Sequence, residues 1–242
     1  MLPHLGAVHT GFTNSIPTGR SLCVLCSAVE TFVVRVWLPD RPGVLSQVTG
    51  RIGDARGDVV GIEILERGGG MAIDELTVAL PDPSYLDPMV AGLLRVDGVA
   101  VEDVRRVPEG RPDGALAVLS TAAEIVAAAQ DDRLQVACAS LRRLLDADWA
   151  VAMRLDRGQS LATDGAVPDL EWLAAFLSGS DHLPSDRVTE HTPGDMVWAR
   201  VAAHGVAIVC GRTGRVFHAR ERDEFRVLGT ILESLPVVLP VG

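Results

Sequence analysis

The chain has no lysine: all 22 of its basic residues are arginine. A pyridoxal Schiff base, a Walker-type or kinase-type phosphate lysine and a lysine general base are therefore excluded. Aromatics are scarce as well, at 4% of 242 residues with one tyrosine, too few for a stacking surface on single-stranded nucleic acid. No stretch approaches the roughly 18 uninterrupted apolar residues of a membrane span. Four cysteines (Cys23, Cys26, Cys138 and Cys210) are too few and too scattered for a disulfide framework, so a reducing cytoplasm is the expected location. The single C-x-x-C, Cys23 and Cys26, lacks the second ligand pair of a zinc site and the strand-to-helix setting of a redox site. No metal and no cofactor are expected. The net charge of −10 repels phosphate backbones, and neither nucleic acid nor membrane is an expected partner.

What remains is an ordinary globular composition, 48% hydrophobic and 22% charged, at a length that suits two domains. Residues 1–28 carry Pro3, Pro17 and a scatter of Gly, Ser, Thr and Asn without helical or strand period, and read as an unstructured leader. Without a basic start and an apolar centre they do not form a secretory signal.

Regular patterning begins near Val29. Val34, Val36 and Leu38 alternate with Arg35 and Trp37, the pattern of a strand with one face on a core. After Pro39-Asp40-Arg41-Pro42-Gly43, the residues Val44, Leu45, Val48 and Ile52 form a helical stripe. Val60, Ile62 and Ile64 then alternate, Gly68-Gly69-Gly70 supplies a turn, and Leu76, Val78 and Leu80 alternate again, giving a hairpin. Adjacent residues Asp74 and Glu75 fall on opposite faces of that strand, which is wrong for a carboxylate pair acting on one bond. A second helix over Tyr85 to Arg95 and a strand over Val99 to Val107 complete a ferredoxin-like β-α-β-β-α-β order in an α+β protein.

The turn after the first strand is the chemically suggestive segment. Pro42 suits a first helical turn, where its missing N–H is no loss, and Gly43 leaves backbone N–H groups open. A helix N-terminus favours a carboxylate while Asp40 favours an ammonium, so one turn could hold both ends of a zwitterion. The alternative is that Asp40 only caps the helix and Pro42-Gly43 only shape the turn. Arg41 reads as a solvated charge.

The stretch LPDRPGVLSQVTGRIGDARGDVVGIEIL, residues 38–65, resembles the ACT domain, a small-molecule regulatory module, over residues 31–107. The D-x-P-G turn, Val44-Leu45 at the helix start and the entry Val59-Val60-Gly61-Ile62 carry the likeness. The resemblance implies pairing of two copies and amino-acid binding at their interface. It places the ligand against Asp40, Arg41, Pro42, Gly43, Val44 and Leu45 of the turn, and Val60, Gly61 and Ile62 of the second strand.

Residues 108–114 read as a linker, and a second unit over 115–242 follows. Helices over Leu116–Gln130 and Leu134–Leu145, strands at Trp149–Leu155, Leu161–Thr163, Met196–Ala202 and Val206–Cys210, a short helix at Asp169–Leu177 and a terminal helix through Phe225 and Leu232 imply an antiparallel sheet flanked by helices. This unit is similar to a GAF domain through VAIVCGRTGRVFHARERDEFRVLGTIL at 206–232. Cys138 and Cys210 stand on apolar positions and read as core thiols. His182, His191, His204 and His218 form no metal or catalytic pair and read as surface or turn residues. Arg212, Arg215, Arg220, Arg222 and Arg226 interleave with Glu221, Asp223 and Glu224 as a salt-bridged helix face.

The expected protein is a non-catalytic, homodimeric regulator with an ACT-like domain at 29–107, sensing an amino acid and acting on a regulated protein. The alternative is a scaffold whose two folds serve dimerisation or partner binding without a ligand. Because patterning starts so abruptly, translation is expected to start near Val29; N-terminal sequencing of the native protein that finds earlier residues refutes this.

Overall fold

The computed structural model describes residues 29–108, 110, 113–180, 193–201 and 204–239. The leader with Cys23 and Cys26, and His182 and His191, lie outside them.

The first sheet is built from β1 (Glu30–Pro39), β2 (Asp58–Gly68), β3 (Met71–Leu80) and β4 (Ala100–Val107), antiparallel throughout in the order β2-β3-β1-β4. Helices α1 (Val44–Asp54) and α2 (Leu86–Leu93) cover one face of it. Phe32, Val34, Val36 and Leu38 of β1 meet Val44, Val48 and Ile52 of α1 and Met89 and Leu93 of α2 in one core, as their periods of two and of three to four require. The β2–β3 hairpin turns at Gly69 and Gly70, whose φ values of +59° and +79° are those of a two-residue turn matched to strand twist.

The second unit opens with α3 (Gly114–Ala127) and α4 (Arg133–Leu144). The Asp113 carboxylate accepts from Leu116 N–H at 2.9 Å and starts α3. Strands β5 (Trp149–Arg154), β6 (Gln159–Gly165), β7 (Met196–Val201) and β8 (Val206–Gly211) form a second antiparallel sheet in the order β6-β5-β8-β7. Both faces are buried. Ala150, Ala152, Ile208 and Cys210 face α3, α4 and the terminal helix α6 (Ala219–Glu233), while Val151, Met153 and Val209 face Leu173 and Leu177 of α5 (Leu170–Ser180). Burial on both sides explains why β5 and β8 read as continuous apolar runs without alternation.

The face of the first sheet opposite α1 and α2 differs from its sequence reading. Arg35 is 2% exposed and Glu75 5%, because the second unit lies over this face. Arg212 and Glu221 belong to that cover, at 2% and 5% exposure, so they are not part of a solvated helix face. The i,i+4 pair Arg220–Glu224 and the i,i+3 pair Arg226–Asp223 do follow the expected surface spacing.

Ile52→Ala removes a side chain from the middle of the first core and is expected to cost about 2–5 kcal/mol in denaturant unfolding. Ile64→Ala, on a position 39% exposed, is expected to stay within about 1 kcal/mol.

Candidate functional site

The turn joining β1 to α1 is held by backbone bonds: Asp40 N–H donates to Gly70 O at 2.9 Å, Arg41 N–H to Pro39 O at 2.8 Å and Val44 N–H to Arg41 O at 3.4 Å. Gly43 is the N-cap of α1, at φ +91°, a conformation that glycine alone adopts freely. Pro42 accordingly lies one residue outside the cap, not in the first helical turn. No side chain caps α1 and no acid sits in its first turn, so Asp40 is not the helix cap. The positive end of the helix is left open to solvent: Asp40, Arg41, Pro42 and Gly43 are all exposed, and a Cβ built on Gly43 meets nothing within 4 Å. Arg41 reaches Asp97 at 3.6 Å, both well exposed.

Val44 departs from the expected ligand set. At 1% exposure its side chain is core, and only its backbone remains on the turn; Leu45 is half-buried. On β2, Val60 and Ile62 are 58% and 45% exposed, and Gly61 lies opposite Thr77 after a bulge between Val59 and Gly61. Together with Ile64 they form an apolar stripe on an edge strand.

A residue with no sequence signal as a binding group joins this region. Asp74 on β3 points to the helix-covered face, opposite Val36 and Ile64 in register, while its neighbour Glu75 points to the other face. Asp74 is 3% exposed, and its Oδ1 has no hydrogen-bond partner among the described residues. Burial pushes its carboxyl above the usual range; Arg67 opposes that push and Asp40 adds to it. A buried acceptor without a donor is costly.

The opposite face of the same strands carries a buried ion network. The Arg35 guanidinium donates to Glu75 at 2.7 Å and to Glu221 at 2.6 Å. Glu221 also accepts from Arg212 at 2.8 and 2.9 Å and from His218 N–H at 2.9 Å. Arg212 stacks 4.0 Å over the Phe217 ring and donates to Leu145 O at 2.8 Å. His218, 3% exposed and therefore not a surface residue, donates from Nε2 to Glu102 at 3.0 Å; Glu102 also accepts from Trp37 Nε1 at 2.7 Å. Burial alone pushes Glu221 up, but bonds from Arg212 and the charges of Arg35 and Arg212 outweigh it and hold the carboxyl below its usual value. Glu102 is held low in the same way by the bond from His218.

Other candidates are placed simply. Cys138 and Cys210 are buried, and burial pushes the Cys138 thiol up to about 12 and Cys210 well above its ordinary value, so both are inert core residues. His204 bonds the carbonyl of Leu235 at 3.0 Å. Among the described residues no three His, Cys, Asp or Glu are grouped to hold a metal ion, and no helix is long and apolar enough to cross a membrane.

Residues 32–84 match the ACT domain family model. Those residues run from within β1 to just before α2 and include the turn, the exposed β2 stripe and Asp74. The ACT domain of a GTP pyrophosphokinase from Chlorobium tepidum is 21% identical, covering 33% of this chain and all of its own length at TM-score 0.28. An ACT domain protein from Streptococcus pneumoniae is 16% identical, covering 32% of this chain and 89% of its own at TM-score 0.27. A protein provisionally described as a glycine cleavage system transcriptional repressor is 12% identical, covering 85% of this chain and 94% of its own at TM-score 0.31. No curated protein matches the chain.

Glu221→Gln leaves Arg35 and Arg212 short of a buried counter-charge and is expected to destabilise by about 3–5 kcal/mol in urea unfolding at neutral pH. Because the folded-state carboxyl lies below its unfolded value, its contribution is present above the unfolded carboxylate range and is lost as pH falls through the depressed folded value. The variant's deficit is therefore expected to shrink on acidification.

Proposed function

We propose that this protein is a non-catalytic regulator whose ACT turn binds an amino acid or a similar small zwitterion. The uncapped N-terminus of α1, opened by Gly43, carries the reading: its amides suit a carboxylate, and an anion there is favoured by the helix dipole. Asp40 on the turn and Asp74 beneath the helices supply negative charge for the ammonium.

In one copy the turn lies open, so the site gains a wall only when a second copy packs against it. The apolar stripe of Val60, Ile62 and Ile64 on the β2 edge is the surface that such pairing covers, and its exposure supports a homodimer in which β2 and the turn meet. Ligand then acts by population shift, favouring the subunit arrangement in which both of its ends are held, and the second unit passes that bias to a regulated protein.

The same openness favours a second reading, a ligand-free interaction module that uses its edge strand to pair. A thermal-shift series with the twenty amino acids separates the two. A regulator is stabilised by about 2.7 kcal/mol at a hundredfold excess over Kd, and Gly43→Val abolishes that gain. A series with no shift for folded protein leaves the interaction module standing. Asp74→Asn gives an independent check: relief of a buried charge is expected to leave the unliganded protein as stable or more stable at neutral pH, while the response to amino acids is lost.

A further inference from the structure

Helix α3 differs from its neighbours in what it shows to solvent. Ten of its 14 residues are Ala, Val, Leu or Ile, and they surround the helix instead of filling one stripe. Thr121 and Ile125 are buried, and Val118 and Ala122 pack beside them against the core. On the opposite side Leu116, Leu119 and Val126 are 56%, 67% and 51% exposed, and Ala123 among them is exposed as well. Spacings of three, four and three put these four side chains within about 80° of one another around the axis. The neighbouring helices place polar groups outward: Gln135 and Arg143 from α4, Asp223 and Arg226 from α6.

A helix that is apolar all round is ordinarily covered on every side. The outward leucines, valine and alanines of α3 leave roughly 400 Å² of contiguous apolar surface per copy, the size at which a patch marks an interaction site. Nothing in that patch repels a like surface. The helix carries one charged residue, Glu124, which lies on the flank of the stripe and is neutralised by Arg143 at 2.5 Å. On a chain of net charge −10, α3 is therefore a face on which two copies can meet without bringing acid against acid.

We infer that α3 pairs with α3 of a second copy of this chain, antiparallel and about a two-fold axis. The side chains set the register. With the axis level with Thr121, Leu119 stands opposite Ala123 of the partner subunit and Leu116 opposite Val126 of the partner subunit. Each larger side chain then meets a smaller one, in the layers of a short two-helix seam. A parallel pair sets Leu119 against its own copy and Ala123 against its own copy, a bump followed by a gap. Counting the flanking Ala115, Ser120 and Ala127, the antiparallel contact removes roughly 800–1,000 Å² from water, the low end for a specific interface, and so gives a dimer with Kd of order micromolar. It uses neither the ACT turn nor the β2 stripe, and it stands whether or not the turn holds a ligand.

Sedimentation velocity on the full chain, from about 1 to 100 µM, is expected to show reversible self-association. Leu119→Glu is expected to raise its dissociation constant about a hundredfold or more, because a charge then enters a desolvated contact from both copies. The thermal midpoint of that variant at low concentration is expected to match the parent, since position 119 faces solvent in a single copy. Ile62→Asp, at the β2 stripe, is expected to leave this association in place. Oxidative crosslinking reads the register, with Cys23→Ser and Cys26→Ser in every chain and Cys138 and Cys210 buried. Leu119→Cys chains mixed with Ala123→Cys chains are expected to link faster than either does alone, because the two copies of position 119 are offset by about 6 Å along the axes. A chain that stays monomeric, association that Leu119→Glu leaves unchanged, or association that Ile62→Asp alone removes overturns the inference. So does faster linking of Leu119→Cys with itself, the mark of a parallel pair. Flotation of a monomeric chain with phosphatidylcholine vesicles, abolished by Leu119→Glu, assigns the face to a lipid surface and overturns it as well.

Discussion

The two halves of the molecule are joined by buried charge. Arg35, Glu75, Arg212 and Glu221 are each nearly or wholly removed from solvent, and each makes bonds to an opposite charge. Taking such ions out of water costs several kcal/mol apiece, and the expense is offset only when every partner is in place. An apolar interface of the same shape could hold the halves together as firmly. It would tolerate sliding, whereas this one does not: a shift of either half strands an arginine or a glutamate without its counter-ion. The relative placement of the two sheets follows from that constraint.

The same strands serve both faces of the first sheet. β1 carries Arg35 into the network and five residues later becomes the ACT turn at Asp40. β3 places Asp74 under α1 and α2 and Glu75 against Arg35, on consecutive residues. A ligand that draws on Asp74 therefore acts on a strand whose next side chain holds the interface. That adjacency is a physical connection between turn and second unit. Coupling through it requires two arrangements of the network with different ligand affinity, since a site that binds both arrangements equally shifts nothing.

The reading of the sequence succeeded where one periodicity was at work. Alternation in β1 and β3, the three-to-four spacing of Val44, Val48 and Ile52, and the paired glycines at 69 and 70 each describe a segment and its own solvent face, and the structure places them accordingly. The turn was legible only in part: a glycine there marks a local backbone path, but Pro42 falls one residue outside the cap and not in the first helical turn. What that reading mistook were residues whose environment is set from afar. Arg35, His218 and Glu221 look like surface groups in a sequence window, because charged and polar residues on an alternating strand or at a helix start are normally solvated. Val44 looks like part of a ligand-binding motif, yet its direction along α1 sends it into the core.

Sequence alone determined the element order and the ACT-type first unit, since each depends on backbone preferences and on spacing within a few residues. Tertiary structure alone decided which carboxylates are buried and whether they are paired. Arg35 and Glu221 are 186 residues apart, and no local rule brings them to 2.6 Å. Asp74 and Glu75, neighbours with the same chemistry, end in opposite circumstances because one faces apolar helices and the other an arginine. The energy of a charge is fixed by what surrounds it, and those surroundings exist only once the chain has folded.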